Sequence, residues 1–225
     1  IVLTWPDHPY FIRRWRQVQK KHVMRRLTII IALVFSFHFC FSQWTTKDAD
    51  QFQMELDEWY ADEESSPLKG KELGEFSGLE YFSVNSKFKV KAVFQRIENA
   101  EEFKMATSSP RNAVYKKYGS LTFRLNGKQR ILYIYESMAE EKDPEFADYL
   151  ILPFTDKTNG KQTYGAGRYL GFWKADLIDD AEVVLDFNLN YNPLCAYNYN
   201  YSCIIPPEEN HVNAKIKAGV KKWHN

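Results

Sequence analysis

The stretch LTFRLNGKQRILYIY, residues 121–135, decides the fold. Leu121, Phe123 and Leu125 alternate with Thr122 and Arg124, the period-two pattern of a strand. Asn126–Gly127 follows, a dipeptide that accepts positive φ at both positions and so closes a tight hairpin. ILYIY then resumes the apolar run. Asn-Gly between apolar runs is the strongest short-range hairpin signal a sequence carries.

Outward from this hairpin the same chemistry recurs. KFKVKAVF at 87–94 sets Phe88, Val90, Ala92 and Phe94 against three lysines, a strand with one wet face. YLILPF (149–154), RYLGFW (168–173) and EVVLDF (182–187) predict further strands, with TNG at 158–160 as a turn. IKAG at 216–219 is expected to close an edge, while SSPRN (108–112) and EEKDPE (140–145) are loops. Only one segment has a helical period. Ala49, Phe52, Leu56, Trp59 and Tyr60 form one apolar stripe between Lys47 and Glu64, with Thr45 or Thr46 as cap and SSP at 65–67 as stop. Several strands, short connections and no internal repeat predict a mostly β fold. It is an antiparallel β-sandwich or open barrel with one N-terminal amphipathic helix acting as lid or brace.

The N-terminal region has a separate logic. Residues 24–42 read as a signal peptide: Arg25 and Arg26, then an apolar run from Leu27 to Phe39, then Ser42 before Gln43. The run falls short of the roughly 20 residues of a spanning helix. Lipidation at Cys40 is disfavoured by bulky His38 and Phe39. Residues 1–23 then lie upstream of a natural start at Met24 and are expected to be over-extended translation. The remaining divisions are an N-terminal helix segment at 43–66 and a single β domain at 67–225. The predicted location is outside the cytoplasm, periplasmic or secreted, with membrane contact only through the signal segment.

Removing residues 1–42 leaves 23 basic and 28 acidic side chains, a net charge near −5. That balance argues against a nucleic-acid partner, which needs a basic surface. Export permits disulfides, and two cysteines remain, Cys195 and Cys203.

Familiar catalytic signatures are absent: there is no G-x-S-x-G, phosphate loop or H-E-x-x-H. Beyond residue 42 only His211 and the penultimate His224 remain as histidines. GAGRY at 165–169 precedes a strand, not a helix, so a turn or bulge is favoured over a phosphate cradle. Arg168 is expected to pair with Asp186, the alternative being a ligand carboxylate or phosphate. For the two cysteines the order is disulfide, then metal, then nucleophile. A metal would need two further ligands, and only His211 lies nearby in sequence.

Residues 186–210, DFNLNYNPLCAYNYNYSCIIPPEEN, concentrate the unusual composition. Asn188, Asn190, Asn192, Asn198 and Asn200 can bond local backbone, and Pro193, Pro206 and Pro207 fix bends. Tyr191, Tyr197, Tyr199 and Tyr201 bring rings whose hydroxyls need partners. Such a loop is either a self-satisfied plug or the lining of a pocket.

These residues carry a resemblance. The series D-F-N, Y-N-P-x-C-A-Y and C-x-x-P-P-x-x-N, preceded by T-Y-G-x-G-R-Y, resembles the bacterial domain-of-unknown-function 1684 family. The likeness runs from the helix near Phe52 to the C-terminus. It marks Thr163, Tyr164, Gly165, Gly167, Arg168 and Tyr169. Further on it marks Asp186, Phe187, Asn188, Tyr191, Asn192, Pro193, Cys195, Ala196, Tyr197, Cys203, Pro206, Pro207 and Asn210. YNYNY at 197–201 departs from the pattern. The resemblance implies a shared fold and motif without a mechanism.

Two readings follow. In one, the chain is a non-catalytic scaffold or small-ligand-binding domain, with Tyr164, Arg168, Tyr169, Asn192, Tyr197 and Asn210 as ligand contacts. In the other it is a hydrolase-like enzyme, with Asp186 as acid or base, Arg168 and Asn188 holding an oxyanion, and Tyr191 or His211 assisting. The absence of a legible nucleophile–base pair favours the first. No metal and no cofactor is predicted.

Overall fold

A computed structural model describes residues 3–4, 47–139 and 144–223. The expected signal peptide, the cap at Thr45 or Thr46, Cys40 and His224 lie outside the described residues. So does the expected upstream extension, except Leu3–Thr4. That pair forms β1, parallel to β9 (Tyr201–Ser202).

The expected hairpin is the spine of the molecule. β4 (Val114–Leu125) and β5 (Lys128–Ser137) pair antiparallel with Leu125 opposite Lys128. Asn126 and Gly127 hold φ of 53° and 73°, the mirror-image turn that matches strand twist. Around it the described strands form a curled antiparallel sheet, a half-barrel. Its path is β10 (His211–Val212), β6 (Tyr149–Asp156), β5, β4, β2 (Lys89–Arg96) and β8 (Glu182–Asp186). β3 (Glu102–Lys104) pairs with β4, and β7 (Arg168–Trp173) with β6. The one departure from antiparallel order in this sheet is β10, which runs parallel to β6.

Period two sorts the side chains into two cores. Leu132 and Ile134 of β5, Leu150, Leu152 and Phe154 of β6, and Leu170 of β7 face an aliphatic core with Phe94, Leu121, Phe123 and Phe187. Tyr135, Tyr149, Ile151, Tyr169 and Trp173, their alternates, face an aromatic core on the other side. β6 is therefore buried on both faces, which explains why YLILPF is apolar throughout. β2 keeps the expected wet face: Ala92 and Phe94 are buried, Lys91 and Val93 exposed.

α1 (Lys47–Ala61) lays the expected stripe into the aromatic core, with Phe52, Leu56, Trp59 and Tyr60 buried. It ends three residues earlier than the periodicity predicts. Asp62 Oδ1 accepts from the Glu64 N–H, the Ser65 N–H and the Ser65 hydroxyl, a turn that competes with another helical turn. The helix is a brace, with the Tyr60 ring 4.6 Å from that of Tyr197. A second, short helix, α2 (Lys71–Gly74), follows.

IKAG differs from expectation. Its alternation is real, since Ile216 and Ala218 are buried while Lys215 and Lys217 are exposed. It joins no strand; the edge beside β6 is taken by β10. The carbonyls of the 216–220 segment turn inward onto Arg168.

Candidate functional site

Arg168 opens β7 opposite Phe154 of β6. Asp156 lies two residues further along β6, on the same face. The guanidinium meets it at 2.7 Å from Nη2 to Oδ2, with both side chains fully buried. The expected pairing with Asp186 is thereby corrected: strand register brings Asp156, not Asp186, to the arginine.

The other guanidinium hydrogens go to the C-terminal segment. Nη2 donates to the Ile216 carbonyl (2.9 Å), and Nη1 to those of Ala218 (2.6 Å) and Val220 (3.2 Å) and to Asn190 Oδ1 (3.2 Å). Only Nε lacks an acceptor. Asp156 is equally occupied, since its Oδ1 accepts from the N–H groups of Thr158 (2.6 Å) and Ile216 (3.2 Å). Burial pushes the Arg168 pKa down, and Asp156 pulls it back up. The result is a charged pair sealed inside the protein.

Asn190 completes this knot. Its Nδ2 donates to the carbonyls of Phe187 (2.6 Å) and Ala218 (2.9 Å), while Oδ1 also accepts from the Val220 N–H (3.3 Å). Gly219 makes the approach possible: its φ is +68°, and a Cβ there would stand 2.5 Å from Asn190 Cγ.

The remaining expected site residues are mostly spent on backbone. Asp186 Oδ1 accepts from Asn188 N–H (2.8 Å) and Nδ2 (2.7 Å). Asn188 also exchanges two bonds of 3.0 Å with the main chain of Asn85, tying the loop to the start of β2. Burial raises the Asp186 pKa, opposed by Asn188 and by Lys89. Its Oδ2 is buried without a hydrogen-bond partner. Asn210 accepts from the Tyr133 N–H (2.8 Å) and donates to the carbonyls of Tyr133 (2.8 Å) and Pro153 (2.7 Å), stapling β5 to β6. Asn192 Nδ2 reaches the Tyr197 hydroxyl (3.1 Å) and the Lys221 carbonyl (2.8 Å).

Among the tyrosines, Tyr169 donates to the Ile204 carbonyl, and the Tyr191 and Tyr149 hydroxyls bond at 2.7 Å. Burial raises the Tyr149, Tyr169 and Tyr197 pKa values. His211 stands apart on the exposed edge, its Nδ1 2.9 Å from Thr155 Oγ1. The structure thus joins Arg168 to Asn190 and Asp186 to Asn188, but not these two pairs into one cavity-lining set. Asp156 and Asn190 were missed as members of the knot. The alternation of asparagines in DFNLN was the available signal for Asn190.

The cysteines have a different setting. Both are free thiols, so the expected bridge is not formed in this structure. They are adjacent nonetheless: the Cys195 N–H donates to Cys203 Sγ at 3.3 Å, and the two thiols hydrogen-bond each other. The half-buried Tyr164 hydroxyl lies 3.9 Å from Cys195 Sγ. Ser108 holds Cys203 in place, its Oγ accepting from the Cys203 N–H at 3.0 Å and its N–H reaching the Cys203 carbonyl at 2.8 Å. Nε and Nη2 of Arg111 are buried nearby without hydrogen-bond partners, and its charge acts on Cys203. Among the described residues no three His, Cys, Asp or Glu side chains gather as metal ligands would.

A family model described as "Protein of unknown function (DUF1684)" matches residues 74–221. Among solved structures, the chain is similar to an uncharacterized protein from Haloarcula marismortui, whose structure was determined by solution NMR. Identity is 33%, the match covers 79% of this chain and 97% of that one, and the TM-score is 0.60. No curated protein matches. The family match spans the sheet, the Arg168 knot and the cysteine-bearing loop, and on that ground the chain belongs to the DUF1684 family.

Proposed function

We propose that this chain is an exported, non-catalytic β domain, and that the family motif fastens its irregular C-terminal segment. The supporting observation is the burial of the four groups a hydrolase would need. Arg168, Asp186, Asn188 and Asn210 are 0%, 4%, 1% and 0% exposed, and their bonds go to other parts of the same chain. A substrate would have to displace several of these bonds, and each buried group left unpaired costs about 1–3 kcal/mol. Of the ligand contacts expected from sequence, Arg168, Tyr169, Asn192, Tyr197 and Asn210 are buried; Tyr164 alone is half-exposed and remains a point of small-ligand contact.

Export follows from the signal-like segment at 24–42, which would deliver the domain to the periplasm or exterior. There the adjacent Cys195 and Cys203 thiols would close a short loop, contributing about 2–3 kcal/mol.

The test is a hydrolase panel of ester, peptide and glycoside substrates, run on wild type and on Asp186→Asn. No turnover by either is the expected result. Turnover that Asp186→Asn abolishes while melting stays unchanged would establish the enzyme reading instead. N-terminal sequencing of the exported protein is expected to begin at Gln43.

A further inference from the structure

We propose that Cys195 is a modification site for small hydroperoxides, and that Cys203 resolves the oxidised sulfur to a disulfide. This deepens the bridge proposed above by naming its route and its attacking atom.

The geometry distinguishes the two sulfurs. Cys195 is the outer one, 6% exposed against 2% for Cys203. The half-buried Tyr164 side chain, which keeps contact with solvent, sets its hydroxyl 3.9 Å from Cys195 Sγ. Cys203 lies behind, held at the main chain by Ser108 and flanked by Ile204, whose carbonyl takes the Tyr169 hydroxyl. A protein-sized oxidant cannot reach a sulfur in that position; a peroxide is little larger than water.

The surroundings favour a thiolate. The hydrogen bond from Cys203 lowers the Cys195 pKa most, working against burial, with Ser108 and Tyr164 adding to it. The same contact, together with burial, raises the Cys203 pKa. Arg111, whose Nε and Nη2 are buried without partners, acts on Cys203 and partly offsets that rise. A thiolate beside hydroxyl donors and a second thiol is a setting in which oxidation is site-selective.

The chemistry balances. The Cys195 thiolate attacks one peroxide oxygen; the S–O bond forms, the O–O bond breaks, and the leaving oxygen departs as water or alcohol after taking a proton. Sulfur loses two electrons and the peroxide gains them. Cys203 then attacks the sulfenic sulfur, the S–S bond forms, the S–O bond breaks, and the Cys203 proton leaves with the hydroxide as water.

The experiment combines hydrogen peroxide with a sulfenic-acid trap, dimedone, and maps adducts by mass spectrometry. Cys203→Ser is expected to trap dimedone at Cys195 at least about tenfold faster than Cys195→Ser traps it at Cys203. A brief peroxide pulse on wild type, which needs no variant to fold, should label Cys195 first and then lose the label to the disulfide. Equal labelling, faster labelling of Cys203, or no label at Cys195 overturns the proposal. If oxidised glutathione closes the bridge while peroxide gives no adduct, the route fails and the bridge stands. If neither reagent links the cysteines, both fail.

Discussion

Two neighbourhoods of one C-terminal segment are built from similar material and behave oppositely. Around Arg168, a charged side chain, an asparagine and a run of carbonyls close on each other until almost every polar atom has a partner. Around the cysteine pair, a tyrosine beside Cys195 and an arginine beside Cys203 keep polar atoms still uncommitted. Order without ladder hydrogen bonds comes from saturation, and chemical reactivity comes from saturation left incomplete. The same motif supplies both.

The comparison is broken most forcefully at its saturated end. Arg168→Met would leave the Asp156 carboxylate buried without its cation and the Ile216 and Val220 carbonyls without that donor. Urea unfolding is expected to register a loss of about 3–5 kcal/mol. A loss under 1 kcal/mol would mean that the knot does not hold the segment.

Gly219→Ala tests the same knot without touching charge. The new Cβ meets the Asn190 amide, and its residue must hold a positive φ. A cost of about 2 kcal/mol is expected, read as a lower urea midpoint with an unchanged denaturant slope.

Asp186→Asn examines a buried carboxylate outside the Arg168–Asp156 pair. Burial raises its pKa in the fold, opposed by Asn188 and Lys89, while Asp48 adds to the rise. A raised carboxyl contributes stability below its unfolded pKa and loses it as pH rises through the folded one. Wild type should therefore gain on Asp186→Asn below about pH 4, with the two within about 1 kcal/mol at pH 7. Unfolding curves across that interval check the sign.

The smallest effect belongs to the reactive corner. Tyr164→Phe removes a weak hydroxyl–sulfur contact from a half-exposed ring and should change stability by less than about 0.5 kcal/mol. Thiol titration by absorbance near 240 nm, a general thiolate signal, should nevertheless move to higher pH. A large loss of stability would erase the contrast between the two neighbourhoods.

What the sequence disclosed follows the range of each interaction. The hairpin at Asn126–Gly127, the alternation in β2 and the stripe on α1 are local patterns, and each appears where it was expected. Cys195 and Cys203 are eight positions apart, so their meeting was legible too. The partner of Arg168 was not. Asp156 and Asp186 both end strands, and only the register of β6 against β7 distinguishes them. The acceptors at Ile216, Ala218 and Val220 are main-chain oxygens, which leave no mark on residue identity. IKAG suggests a sheet edge, but its carbonyls at Ile216 and Ala218 are engaged by Arg168 instead.

The Arg168 carbonyl cradle also has a temporal consequence. Residues 216–220 are the last pieces needed to shelter a cation that β7 has already carried into the interior. A chain that stopped before Ile216 would lack three of the carbonyls that hold the Arg168 guanidinium, however well its hairpins had formed. The closing segment therefore completes, from 48 to 52 residues away, the shelter of a charge that β7 introduces.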